Sequence, residues 1–223
     1  MNDIALHITQ IGQELPAGTR LVAVSKFHPA EAIMEAYEAG QRIFGESRVQ
    51  ELVAKYETLP KDIAWHFIGH LQTNKVKYIA PFISLIHSVD SEKLLSVIDG
   101  EAAKCGRTVD CLLEIHVAQE ESKYGFTPDS FREWLAGNPL GKYPHVRVRG
   151  LMGMASLTDD DRRIDREFGE LKRLFDEVKA SGKVDASVFD ELSMGMSHDY
   201  RLALQHGSTL VRIGTSIFGD RGY

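Results

Sequence analysis

Eight short apolar runs, each of strand length and each separated from the next by a helical or loop segment, constrain this chain more than any other feature. They are Arg20 to Ser25, Arg42 to Gly45, Ala64 to Ile68, Ser84 to Val89, Val109 to Val117, Val146 to Met152, Val188 to Ser193 and Thr209 to Ile213. Two of the intervening segments carry a clear helical period. Pro29 to Ala39 puts Ala32, Ile33, Ala36 and Tyr37 on one face and begins with a proline suited to a first turn. Asp160 to Ala180 repeats Ile164, Phe168, Leu171, Phe175 and Val178 among charges. With no linker, low-complexity stretch or internal repeat, the alternation reads most simply as one (β/α)8 TIM barrel domain over residues 1–223. A doubly wound open sheet shows the same alternation and stays open as the second architecture.

Composition excludes several classes. A chain of 223 residues, 43% hydrophobic, buries a sizeable core. A net charge of -6 and the absence of a basic block argue against a nucleic-acid partner. Met1 to Glu14 spaces Ile4, Ile8 and Ile11 among polar residues, including Asp3, which predicts an amphipathic helix and no secretory leader. No apolar run approaches membrane-spanning length. The two cysteines, Cys105 and Cys111, suggest neither a disulfide framework nor a zinc site, and a cytoplasmic location is expected.

In a parallel barrel the carboxyl ends of the strands meet at one mouth, where ligands bind. Lys26 stands at the end of the first run. After the second come Glu46 and Ser47, after the third Gly69-His70-Leu71-Gln72, and after the fourth Asp90-Ser91. The later runs supply Met152, Ser193-Met194-Gly195-Met196-Ser197 and Arg212-Ile213-Gly214-Thr215-Ser216. Ser197, Gly214 and Thr215 suit a phosphate held by the loops after strands seven and eight, although Gly and Ser also serve as ordinary turn and cap residues. Neither glycine-rich stretch matches a Walker loop or a dinucleotide fingerprint. A lysine amine facing a phosphate grip fits two chemistries: a Schiff-base aldolase acting on a sugar phosphate, and a pyridoxal 5′-phosphate (PLP) protein. Both need a neutral amine, which burial and a nearby cation such as Arg212 favour.

His66 and His70 are four apart but straddle a strand and its loop, with no carboxylate to complete a metal set. His66 reads instead as core or mouth lining. Glu46 reads either as an acid or base at the site or as a cap or ion-pair partner. Met152, Met154, Met194 and Met196 are expected to pack around the mouth.

Ala23-Val24-Ser25-Lys26, Phe44-Gly45-Glu46, Trp65-His66-Phe67-Ile68-Gly69-His70-Leu71-Gln72, His87-Ser88-Val89-Asp90-Ser91, Glu121-Ser122-Lys123-Tyr124-Gly125, Gly150-Leu151-Met152, Leu192 to Ser197 and Val211 to Gly219 together resemble the pyridoxal-phosphate homeostasis protein family. The resemblance implies a fold-type III barrel, like the N-terminal domain of alanine racemase, with Lys26 joined to PLP as a Schiff base. It implies that Ser197, Gly214 and Thr215 hold the phosphate, that Arg212 lies near the pyridine nitrogen, and that Met194 and Ser47 also line the cofactor. Ser47 departs from the Asn frequent in the family after Phe-Gly-Glu, and its shorter side chain loses a contact or leaves its place to water. Lys123 is expected as a loop lysine, or as a second amine during cofactor transfer.

An arginine at the pyridine nitrogen only donates hydrogen bonds, so it leaves the ring unprotonated and a weak electron sink. Racemases of similar arrangement add a catalytic group from a β-domain and from a partner subunit, and this chain ends at Tyr223, just past the eighth run. The expectation is therefore a non-catalytic carrier or buffer of PLP, acting as a monomer and handing PLP to PLP-dependent apoenzymes. The alternative is a PLP-dependent enzyme with weak amino-acid racemase activity.

Overall fold

The computed structural model describes residues 4–118 and 124–219. Eight parallel strands close into a barrel in sequence order: β1 (Arg20–Val24), β2 (Ile43–Glu46), β3 (Ala64–Phe67), β4 (Leu85–Val89), β5 (Val109–Ile115), β6 (Val146–Gly153), β7 (Glu191–Met196) and β8 (Leu210–Ile213). Closure comes from β1, which pairs with β2 through Ala23↔Phe44 and with β8 through Val22↔Arg212. The open-sheet alternative is thereby excluded. The helices are α1 (Ile4–Glu14), α2 (Ala30–Glu38), α3 (Val49–Thr58), α4 (Val76–Ile79), α5 (Glu92–Lys104), α6 (Pro128–Ala136), α7 (Asp161–Ala180), α8 (Tyr200–Gln205) and α9 (Thr215–Phe218). Among the described residues no helix is long and apolar enough to cross a membrane.

Local chemistry starts and stops these elements. Asp160 caps α7 by accepting from the Arg162 and Arg163 amides, and Ser91 caps α5 by accepting from Leu94. Thr127 caps α6, whose first turn carries Pro128. The α7 stripe of Ile164, Phe168, Leu171, Phe175 and Val178 is buried, as its spacing requires. Ile4, Ile8 and Ile11 are likewise the buried face of α1. The largest boundary difference falls at β7, which begins at Glu191 and not at Val188. The Asp185 carbonyl draws the Val188 and Phe189 amides into a turn, so those residues cannot enter the ladder.

Strand side chains alternate between two cores. Val22, Leu85, Leu112, Met152 and Leu210 point inward and, with Ile43, form an apolar plug. Their neighbours Ala23, Phe44, Trp65, Leu113, Leu151, Leu192 and Val211 point outward and join the larger core shared with the helices. Leu112→Ala opens a cavity in the plug and is expected to cost about 2–5 kcal/mol, read as a lower urea midpoint at unchanged slope.

Candidate cofactor-binding site

The same alternation builds the site above the plug. Two residues beyond the plug positions Leu85, Leu112 and Leu210 stand His87, Glu114 and Arg212, and all three are buried. Arg212 spreads its fork: Nη1 donates to Ser193 Oγ at 2.5 Å and Nη2 to the Gly153 carbonyl at 3.0 Å. Burial pulls Arg212 down to about 10, against the opposing pull of Asp199 and Glu114, so it remains a cation at neutral pH. Burial, aided by the repulsion of Asp90 and opposed by Arg212, pushes Glu114 up to about 7. Ser193 also meets His87 Nδ1 at 2.9 Å, and His87 Nε2 meets His66 Nδ1 at 2.9 Å. Burial holds both rings neutral, taking His66 down to about 3 and His87 well below its ordinary value.

Lys26 follows β1 and is half-buried. Lys26 stands two residues past β1, in a turn closed by the His28 amide donating to the Ser25 carbonyl at 3.1 Å, while the Ser25 hydroxyl faces outward to Glu46. Its two chain neighbours are pinned by one network centred on the buried Lys55. Lys55 on α3 donates to the Ser25 carbonyl at 2.8 Å, to Glu46 at 2.7 Å and to Glu51 at 2.7 Å. Ser25 Oγ donates to Glu46 at 2.6 Å, and the Phe27 amide donates to Glu51 at 2.7 Å. Phe27 itself holds a φ of +68°, rare for a bulky side chain, with the Arg48 guanidinium over its ring. Glu46 thus lies in the outer layer as an ion-pair partner, its carboxyl pushed up by burial against the pull of Lys55. It is not an acid or base facing the mouth.

On the opposite strands, Ser197 Oγ accepts from the Gly214 amide at 3.3 Å. Gly214 packs so near β1 that a Cβ there would come within 3.1 Å of the Val24 carbonyl. Gly195, at φ +94°, lets the Ser193 to Ser197 turn pass over α8, where a Cβ would meet Ala203 at 2.7 Å. Thr215 opens α9 and is exposed. Lys26, Arg212, Gly214 and Ser197 are therefore gathered at the carboxyl ends of the adjacent strands β7, β8 and β1. Ser47 lies at the end of β2 against Gly69, where a Cβ would meet its carbonyl at 2.5 Å.

Met194 corrects the expectation: strand alternation sends its side chain into the outer core, fully buried, away from the mouth. Met152 belongs to the plug below, and Met154 is exposed. His66 and His70 are not together, for His70 pairs with Asp90 at 3.1 Å and stacks on Tyr124. Lys123 lies outside the described residues. Sequence reasoning missed Lys55, although a lysine three residues after buried Leu52 interrupts an apolar stripe and signals a buried cation.

An amine just past β1, a buried guanidinium and a serine–glycine turn at one barrel mouth fit a phosphorylated aromatic aldehyde. Fold and site together define a class, the fold-type III barrels, and the family model described as alanine racemase, N-terminal domain, matches residues 1–222. The chain belongs, within that class, to the pyridoxal phosphate homeostasis protein family. A protein of that name from Aquifex aeolicus is 41% identical over 209 residues, covering 92% of this chain and 88% of the relative. One from Schizosaccharomyces pombe is 39% identical, covering 90% and 84%. The solved structure of PipY from Synechococcus elongatus with PLP bound superposes with a TM-score of 0.87 at 37% identity, covering 97% of this chain and all of that one. Alanine racemase from E. faecalis shares the fold, with a TM-score of 0.73 at 16% identity over 97% of this chain and 57% of its own.

Two stability outcomes follow from the buried charges. Lys55→Met strands two carboxylates and is expected to cost about 3–5 kcal/mol, while Glu46→Gln combined with Lys55→Met costs less than Lys55→Met alone. Glu114 is protonated in the folded state up to about pH 7 but ionises in the unfolded chain near its ordinary value, so stability falls as pH rises between these points. Glu114→Gln removes that loss. In urea titrations it is expected to be neutral near pH 4 and stabilising, by on the order of 1–3 kcal/mol, near pH 8.

Proposed function

We propose that this chain binds PLP through a Schiff base on Lys26 and carries or buffers it for PLP-dependent apoenzymes, without catalysing a reaction of its own. The observation that carries the reading is the gathering of Lys26, Arg212 and the Ser197–Gly214 turn at the carboxyl ends of three adjacent strands. PLP, when bound, supplies an aldehyde that condenses reversibly with amines and a ring that draws electrons. Lys26 offers its amine from a backbone clamped on both sides by the Lys55 network. Ser197, Gly214 and Thr215 receive the phosphate, and Ser47 lines the same rim. Arg212 serves the ring nitrogen as a donor only, which keeps that nitrogen unprotonated and disfavours carbanion chemistry. The names of the relatives and the PLP-bound PipY structure support this reading. It is a cytoplasmic role for one barrel domain over residues 1–223, acting as a monomer.

One observation favours a second reading. Glu114 is an inward carboxyl titrating near neutrality, which suits a weak general acid or base in a PLP-dependent amino-acid racemase.

Borohydride reduction of the full chain mixed with PLP, followed by peptide mass mapping, is expected to place the reduced cofactor on Lys26 and to yield no adduct in Lys26→Ala. An adduct mainly elsewhere, or none, overturns the proposal. Loaded protein incubated with single amino-acid enantiomers is expected to leave optical rotation unchanged. Racemisation faster than that by free PLP, and lost in Glu114→Gln, would establish the second reading instead.

A further inference from the structure

Arg212 ends a buried hydrogen-bonded file that runs across the barrel through four inward side chains from four strands: Arg212 on β8, Ser193 on β7, His87 on β4 and His66 on β3. The links are 2.5, 2.9 and 2.9 Å. None of the four side chains is more than 5% exposed. Hydrogen-bond chemistry decides where the protons sit. A guanidinium donates and never accepts, so Ser193 Oγ takes the Arg212 proton on a lone pair. The serine hydroxyl must then send its own proton elsewhere, and His87 Nδ1 is its remaining polar neighbour among the described residues. If His87 accepts there, its neutral ring carries the proton on Nε2 and donates to His66 Nδ1. Every link in the file then has one donor and one acceptor.

The reverse order fails on two counts. With Nδ1–H on His87 pointing at Ser193, the serine hydroxyl proton has no acceptor, a buried loss of about 1–3 kcal/mol. Its ring dipole would also aim a proton toward the fixed positive charge. Nor does protonating His87 offer a way out, because burial penalises a second cation and Arg212 and Arg20 both repel it, while Glu114 pulls on Arg212. The file is therefore polarised one way, with each proton pointing away from Arg212.

We propose that His87, acting through Ser193 and backed by His66, is the positioning residue that fixes the Arg212 guanidinium in one orientation and commits it to donating toward the mouth. With one arm of the fork held by Ser193 and the other by the Gly153 carbonyl, the guanidinium plane is set before any ligand arrives. The role toward the cofactor rests on the reading that PLP occupies this mouth. The proton order does not.

Two measurements test it. In ligand-free full-length protein labelled with 15N-histidine, NMR is expected to find His87 and His66 in the Nε2–H form with shifts constant from pH 5 to pH 9. A His87 ring carrying Nδ1–H, or one that titrates in this range, overturns the inference whether or not PLP binds. In PLP titrations followed by absorbance, His87→Phe is expected to weaken binding by about tenfold to a hundredfold, the scale of a lost hydrogen bond to a charged group, and to move the pH midpoint of the bound spectrum by about half a unit or more. His87→Asn, which keeps an acceptor for Ser193, should stay within about threefold of the unaltered protein. Ser193→Ala leaves both histidines in place but cuts the file, and should match His87→Phe even if the latter folds poorly. Unchanged affinity and midpoint in Ser193→Ala overturn the positioning role. Failure of the unaltered protein to take up PLP on Lys26 would instead overturn the cofactor reading, leaving the histidine spectra to decide the proton order.

Discussion

Closing eight parallel strands on themselves forces each residue to choose between two interiors, and the two-residue period makes that choice for the whole strand at once. One phase fills the space between sheet and helices with large apolar groups. The other fills the barrel first with aliphatic side chains and then, two residues further along, with histidine, glutamate and arginine. The chemistry of the mouth is thus a continuation of the packing beneath it. A one-residue slip in β8 would send Arg212 into the outer core and Val211 into the site. Gly214 belongs to the same constraint, since the approach of β8 to β1 would set a Cβ against the Val24 carbonyl at 3.1 Å, tighter than an ordinary contact.

Two buried cations make this arrangement unusual for a small domain, and each is accommodated differently. Lys55 is surrounded by acceptors: two carboxylates and a carbonyl that belongs to the residue before Lys26. Arg212 has no carboxylate partner among the described residues and is held by a hydroxyl and a carbonyl. A buried charge with no paired carboxylate is costly, and the pull of Asp199 and Glu114 offsets that cost only in part. Its persistence here means that the surroundings over-determine it, through the neutral histidines on one side and the strand backbone on the other.

Much of the barrel is legible in the chain itself. Strand-length runs and the helical stripes of α1, α2 and α7 come directly from hydrophobic period, and Lys26, Ser197, Arg212 and Gly214 stand where those runs end. Phase and partnership are harder to read. Met194 sits among site-like residues in the chain, but only the strand's pleat reveals that it faces the other way. Glu46 suits the mouth and an ion pair equally well until Lys55 supplies the pair from a helix. The file linking residues 66, 87, 193 and 212 joins four strands and leaves no local pattern to find. The start of β7 escapes hydrophobic patterning because an Asp185 turn, not an apolar boundary, delays it.

The aliphatic stopper formed by Val22, Ile43, Leu85, Leu112, Met152 and Leu210 has a topological consequence. It packs the barrel interior beneath His87, Glu114 and Arg212, so those three groups rest on a floor of apolar side chains and not over a pore.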